Sequence, residues 1–232
     1  IFGDNSVSTS QPLAAQAGLS MMHRGGNAVD AAIASAITLT VVEPTMNGIG
    51  SDAFCLIWDG QKIHGLNAAG KYPEKWKHSD FKQYKTMPDL GWKSVSVPGA
   101  VSSWVALSRR FGRLRFEDLF EPAIRYARDG FSVSPIIADQ WKKQINRFAM
   151  FDEFQRIFTR HGRTPMPGER FRLPDHAESL EEIAKTYGEA FYRGELAQLM
   201  VNDSLKNGGK LSLNDLEDHD PTWTDPITTE HK

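Results

Sequence analysis

Seven histidines, a single cysteine and a few clustered acids are the residues of this chain whose chemistry could reach beyond packing. Serine-hydrolase catalysis would need an exposed serine with histidine and aspartate partners, and no G-x-S-x-G turn is present to offer one. His23, His64, His78, His161, His176, His219 and His231 are scattered without H-x-x-x-H spacing, so no zinc site is predicted. Asp215, Asp218 and Asp220 could suggest calcium, but the run lacks the glycine and closing glutamate of a calcium loop and reads as a solvated acidic face. Cys55 lies inside an apolar run and reads as a small core residue; with no second cysteine it forms no internal disulfide. Gly48 and Gly50 are not followed by a helix opening over phosphates, so they read as close-packing glycines and not as a nucleotide loop. No metal or cofactor is predicted.

Composition narrows the classes further. The chain has 232 residues, 40% hydrophobic and 24% charged, which is enough for one large domain or part of one. A net charge of −2 with no long basic block gives nucleic-acid binding little electrostatic support. The opening IFGDNSVSTSQ has neither a basic flank nor an apolar core, so no signal peptide is predicted in this chain, and a cytoplasmic or an exported location stays open. The longest apolar run, 28–42, is too short and carries too many hydroxyls to span a bilayer.

The elements that must position any site are read from spacing and turn residues. The organising stretch is RGGNAVDAAIASAITLTVVEPTMNGIGSDAFCLIW, residues 24–58. Gly25 and Gly26 can end a helix, Asn27 sits where an N-cap belongs, and Asp30 falls in the first turn. Residues 28–42 are small or apolar almost throughout, which predicts a helix buried on most faces. Ala32→Leu or Ala36→Leu should then overpack the core. Glu43-Pro44 stops the helix, and 54–58 reads as a buried strand.

Before this stretch, Ser10 is the expected N-cap of a helix over 11–24, with Pro12 in its first turn. After it, Asp59-Gly60 predicts a hairpin, with 61–66 returning as the partner strand and 67–73 leaving as an irregular segment. Residues 74–92 read as loop with one short helix, and 94–97 as a short strand. Helices are expected over 100–111, 116–128 and 134–148, a basic loop over 160–174, and helices over 179–187, 194–205 and 212–217. Residues 221–229 look extended. Periodicity alone gives a helix-rich α/β or α+β chain with no linker dividing it.

GGNAVDAAIA, then VVEP, then GIG before an apolar strand resembles the gamma-glutamyltranspeptidase family of N-terminal-nucleophile hydrolases. The resemblance continues through VPGAVSSWVALSRRFGRLRFEDLFEPAIRYARDGFSVS, LEEIAKTYGEAFYRGELAQLM and GGKLSLNDLEDHDPTW, from about 8 to 227. It implies an α+β fold: the helix-rich portion of a four-layer αββα sandwich, with 1–232 as one large-subunit portion and no independent second domain. It also implies a precursor that cleaves itself, a small-subunit polypeptide as partner, and a threonine nucleophile at that subunit's first residue. Thr228-Thr229 is followed here by Glu230-His231-Lys232 and not by the family's strand, so no catalytic residue is expected in this chain. With few strand signals against many helices, the chain alone is expected to be aggregation-prone.

The implied reaction moves the acyl group of a gamma-glutamyl amide, glutathione in type, to water or an amine. The family's large subunit holds the donor's α-carboxylate with an arginine in an Arg-Glu-x-Ala-Pro segment. The matching residues here are Ala69-Gly70-Lys71-Tyr72-Pro73, with Ala69 at the arginine's place and Lys71 the one cation left. Alanine cannot replace a bidentate guanidinium, and lysine is a point charge of different reach. Lys71 is therefore either an ordinary exposed lysine or a binding cation. Lys71, with Asn67 at the head of the same segment, is the substrate-binding candidate. The departure at Ala69 also admits an acylase of other amide side chains, cephalosporin-acylase-like. A non-catalytic homologue is the reading from a different class.

Overall fold

The computed structural model describes residues 3–230. His231 and Lys232, the end of the threonine stretch considered above, lie outside the described residues, as do Ile1 and Phe2. In chain order the elements are α1 (Pro12–His23), α2 (Ala28–Val42), β1 (Ala53–Trp58), β2 (Ile63–Ala68), α3 (Ala100–Phe111), α4 (Glu121–Asp129), β3 (Phe131–Ser132), α5 (Pro135–Gln144), α6 (Asp152–Phe158), β4 (Arg170–Phe171), α7 (Pro174–Lys185), α8 (Glu189–Tyr192), α9 (Glu195–Lys206), α10 (Leu213–Glu217) and β5 (Thr222–Thr224). They fall into two compact units. The first comprises the residues up to Gly48 and Phe111–Ala184, the second Ile49–Arg110 and the residues from Lys185 onward.

The first unit is organised by the GGN motif. Gly25 ends α1 with φ +90°, where a side chain would be strained. At Gly26 an added Cβ would lie 2.8 Å from both Met21 O and Leu114 Cδ1. Asn27 Oδ1 accepts the Val29 and Asp30 N–H groups at 2.9 and 3.1 Å, and Asp30 Oδ2 accepts the Asn27 N–H at 2.8 Å. This reciprocal cap satisfies donors that a helix start leaves open. Asp30 is fully buried and also accepts the Arg113 N–H at 3.1 Å, so the cap anchors the chain beyond α3 as well as α2. The α1–α2 contact is close because Gly18 faces Ser35, whose hydroxyl donates to Ala14 O at 2.9 Å.

Helix α2 is less uniformly buried than its composition predicts. Ala31, Ile33, Ala34, Ile37, Val41 and Val42 are buried, but Ala32 is exposed and Ala36 and Leu39 are only partly covered. Ala28, Ala32, Ala36 and Leu39 lie three or four residues apart, so they share one outward stripe. The overpacking test therefore moves to the buried face. Ala34→Leu should cost roughly 1–3 kcal/mol, while Ala32→Leu should stay within about 0.5 kcal/mol of wild type. Chemical denaturation of the two variants checks this, and equal stabilities would show the stripe to be wrongly placed.

Several expected boundaries are corrected. Gln11, not Ser10, caps α1: its Oε1 accepts the Leu13 and Ala14 N–H groups, while the Ser10 hydroxyl donates to the buried Glu43 carboxylate. Over 116–128 the first five residues form a 3-10 turn, and α4 starts at Glu121 because Pro122 fits only a helix's first turn. Helix α5 ends at Gln144 and the chain continues as turns, followed by the unexpected α6. The 160–174 loop contains β4, which pairs antiparallel with β3. Helix α7 begins at Pro174, well ahead of Ser179, since proline is pre-shaped for a first helical position.

His176 on α7 supplies a pH dependence. Thr40 Oγ1 donates to Ile37 O at 2.7 Å, so it accepts from His176 Nε2 at 3.0 Å, and the ring carries its proton there. Burial pushes the imidazole down to about 4. The unfolded chain then binds the extra proton first, so this stability is full above about pH 6.5 and is lost as pH falls toward 4. At about 1.4 kcal/mol per pH unit the loss reaches up to roughly 3 kcal/mol. Urea unfolding from pH 7 to 4 should show that slope, and His176→Gln should flatten it.

In the second unit β1, β2 and β5 form one antiparallel sheet in the order β1-β2-β5. Phe54 pairs with Asn67, Leu56 with Gly65 and Trp58 with Ile63, so these residues share a face. On the other face Cys55 pairs with Leu66 and Ile57 with His64, and β5 adds Trp223 opposite Leu66. The expectation of a strand buried throughout fails for β1: Phe54, Leu56 and Trp58 are 71, 71 and 64% exposed. The alternation is that of a sheet covered on one side only. Residues 94–97 form no strand. Trp92–Ser94 is a 3-10 turn, and Val97 donates across to Lys71 without joining a ladder.

Candidate substrate-facing site

The segment 67–73 is held against two other stretches of the second unit by hydrogen bonds of its main chain, one to a side chain and one to a backbone N–H. Asn67 Oδ1 accepts the Ala69 N–H at 2.9 Å, an Asx turn that bends the chain off β2. The Gly70 N–H donates to Asp52 Oδ1 at 3.0 Å, and Lys71 O accepts the Val97 N–H at 3.0 Å. The Gly99 and Ala100 N–H groups both donate to Ser51 O, at 3.0 and 2.7 Å, satisfying donors at the start of α3. Two glycines make the crossing possible. An added Cβ at Gly70 would fall onto Val97 O, and one at Gly99 onto Ala68 O. The close packing expected of Gly50 is absent there: a Cβ on Gly50 would meet nothing within 4 Å.

This frame places the two predicted site residues differently. Asn67 spends its carbonyl oxygen on the turn and so shapes the segment. Lys71 is exposed, makes no ion pair among the described residues, and lines a cavity of about 330 Å³ with Tyr72, Glu74, Asp215, Asp218 and His219. Ala69 is exposed and offers only a methyl group where a guanidinium was sought. Thr228 and Thr229 are exposed and outside any strand. The aspartates expected on a solvated face divide: Asp218 is exposed, while Asp215 accepts from Ser212 N and Oγ and from Glu74 N.

The sequence reading missed a buried polar cluster behind Lys71. Ser102 Oγ donates to Gly99 O at 2.7 Å, so its contact with His219 Nε2 at 2.9 Å has the histidine as donor. The Tyr192 hydroxyl donates to Pro98 O at 2.7 Å and accepts the Ser102 N–H at 3.0 Å, and its ring stacks on His219. Burial pushes the Tyr192 phenol up to about 12. Burial also pushes His219 below the ordinary imidazole range; Asp220 and Asp52 pull it up, and Lys71 pushes it further down. The pairing resembles a serine–histidine dyad but has the wrong polarity. Here the imidazole gives its proton to the serine, and the serine's own proton is committed to a carbonyl. A nucleophile needs the reverse. The cluster fixes the wall behind Lys71 and, with this polarity, presents no activated serine.

Known proteins resemble this chain over nearly all of its length. The profile of the Gamma-glutamyltranspeptidase family matches residues 14–232. A glutathione hydrolase-like YwrD proenzyme of Bacillus subtilis is 37% identical over 223 residues, 95% of this chain and 42% of the relative. Among solved structures, the cephalosporin acylase from Bacillus halodurans superposes with a TM-score of 0.93 at 42% identity, over 99% of this chain and 46% of that one. The Helicobacter pylori gamma-glutamyltranspeptidase gives 0.94 at 29% identity, over 100% and 68%. The chain thus spans about two fifths of the length of the first curated relatives it matches, 42% and 35%. The matches bear out the expected fold, the helix-rich α+β portion of an N-terminal-nucleophile hydrolase.

Proposed function

Because this chain belongs to the gamma-glutamyltranspeptidase family, we propose that 1–232 is one large-subunit portion of an N-terminal-nucleophile enzyme acting on gamma-glutamyl amides of the glutathione type. The nucleophile is a threonine at the head of the small subunit, freed by self-cleavage of a common precursor. Its α-amino group takes the hydroxyl proton as the oxygen attacks the amide carbonyl. The tetrahedral intermediate collapses, the amine leaves with that proton, and an ester acyl-enzyme remains. Water or an acceptor amine then attacks the ester and restores the threonine. This chain takes no chemical step in that sequence; it holds the donor.

The observation that carries the reading is the Lys71 cavity. An α-amino acid head group presents one carboxylate and one ammonium. The cavity presents the reverse, the Lys71 ammonium, which makes no ion pair among the described residues, together with the exposed carboxylates of Glu74 and Asp218. The partner is supported by the open face of the sheet, where Phe54, Leu56, Trp58 and Ile63 expose more apolar surface than a settled sheet leaves to water. A second reading, an acylase of other amide side chains, is favoured by the methyl group at Ala69 and by the likeness to the cephalosporin acylase.

The test expresses this chain alone and with its downstream sequence. The longer precursor should split in two, N-terminal sequencing of the smaller piece should give threonine, and the cleaved pair should hydrolyse a gamma-glutamyl anilide or an acylated amine. The chain alone should aggregate. Cooperative unfolding of the chain alone as a soluble monomer would refute the partnership. An uncleaved, inactive precursor would leave only a non-catalytic homologue.

A further inference from the structure

The second unit holds another cavity, of about 380 Å³, besides the Lys71 cavity of about 330 Å³. His219 lines both, and it is the one described residue that does so. Lys71, Glu74 and Asp218 share the first cavity with it, and Val105, Ala106 and Trp223 share the second. Small-molecule sites span about 300–1,000 Å³. Each cavity alone stands at the low end of that range, and the two joined would fall well inside it.

Three elements fix the imidazole where the cavities meet. Helix α10 delivers it: just past the helix end, the His219 N–H donates to Leu216 O at 3.3 Å. From α3, Ser102 Oγ accepts the Nε2 proton at 2.9 Å. From α8, the Tyr192 ring stacks on the imidazole, with centres 5.5 Å apart and planes 28° apart. Ser102 and Tyr192 are tied to each other as well, through the bond from Ser102 N–H to the Tyr192 hydroxyl at 3.0 Å. His219 is 7% exposed. Swinging its ring aside would strip the buried Nε2 proton of its acceptor and Ser102 Oγ of a donor, and buried polar groups lose most when left unpaired. The imidazole is therefore a fixed wall and not a gate. Asp218, one of the two acids that the reading above gives to the donor's ammonium, adjoins His219 in the chain, so a group added to that nitrogen meets this wall.

We propose that His219 is a specificity-determining residue: its imidazole closes the Lys71 cavity off from the second one and limits the ligand to an amino acid head group without a bulky substituent on nitrogen. The inference rests on the reading of the Lys71 cavity given above, and its test measures binding without turnover. Isothermal titration of the complete, cleaved protein compares glutamate with N-benzylglutamate, which keeps the charges of the head group and adds a ring for the second cavity. Wild type should bind the benzyl compound at least about tenfold more weakly than glutamate. His219→Ala and His219→Ser, which join the cavities, should close that gap or reverse it. His219→Gln, whose amide N–H can still donate to Ser102, should retain it. A residue needed only for stability would weaken both ligands together and leave their ratio alone, so the ratio is the readout. The proposal is overturned if wild type binds the two ligands alike, if the gap survives in His219→Ala and His219→Ser, or if His219→Gln closes it equally. Lys71→Ala separates this inference from the reading beneath it. Glutamate binding that Lys71→Ala does not weaken overturns the head-group site and this inference with it. Lys71-dependent binding with a gap indifferent to His219 overturns this inference alone.

Discussion

Gly70→Ala should destabilise the protein by about 4 kcal/mol or more and abolish any function of the Lys71 cavity, while Gly50→Ala should change stability by less than about 0.5 kcal/mol. The two changes add the same methyl group to the same residue type. At Gly70 the new carbon would occupy the position of Val97 O, and at Gly50 it would meet no atom within 4 Å. Overpacking in a core is usually relieved by rotating side chains, at about 1–3 kcal/mol. Here the obstacle is a main-chain carbonyl. To escape it, residues 67–73 must leave 97–100, breaking the bond from Val97 N to Lys71 O and that from Gly70 N to Asp52. Gly99→Ala should behave like Gly70→Ala, because its methyl group would fall on Ala68 O. Soluble yield and thermal unfolding of the three variants decide the matter. Gly70→Ala and Gly50→Ala melting together would mean that the segment is not held as described.

What the sequence revealed and what it hid divide by distance along the chain. The glycine pair, the Asn27 cap and the α2 boundaries follow from neighbours a few residues apart, and the structure places them over Ala28–Val42 as expected. Ser212 likewise caps α10 from its own local spacing. Exposure was less legible. The run AFCLIW is apolar at every position and gives no hint that alternate residues stand open. Ala32 cannot be told from Ala31 by composition, since the packing of distant elements, α1 and α4 foremost, decides which side of α2 is covered. The Ser102–His219 contact spans 117 positions and carries no motif. Asp52 could have been noticed as the acid following the GIG turn, but its role on Gly70 depends on a crossing that spacing does not encode. The departure proposed at Ala69 is the reverse case. It became visible only by setting the segment beside the pattern of a family, and no local rule marks an alanine in a loop as a missing clamp.

Ala69→Arg should raise the efficiency of the complete, cleaved protein toward a gamma-glutamyl anilide by about 30-fold or more. A charged bidentate contact in a desolvated pocket is lost at a cost of about 2–5 kcal/mol when one partner is truncated. At about 1.4 kcal/mol per factor of ten, that spans roughly 30-fold to several-thousand-fold. The structure leaves room for the change. Ala69 is exposed, and its turn is made by its own N–H to Asn67, a bond that any side chain at 69 leaves in place. Wild-type turnover of the glutamyl donor should be weak and should rest on Lys71, whose ammonium is the cation at hand in the cavity. A lysine reaches a carboxylate as one point charge and shares the cavity with Glu74, Asp215 and Asp218, so it recovers only part of what a guanidinium provides. Lys71→Ala should therefore raise KM more than it lowers kcat, because the contact it removes is made in the ground state as well as the transition state. Adding Ala69→Arg to Lys71→Ala should restore turnover. Efficient wild-type turnover indifferent to Lys71→Ala would defeat this account of the donor site and assign the carboxylate to a cation outside residues 67–73. Failure of Ala69→Arg to help the glutamyl donor, with brisk wild-type cleavage of an amide lacking the amino acid head group, would decide for the acylase reading.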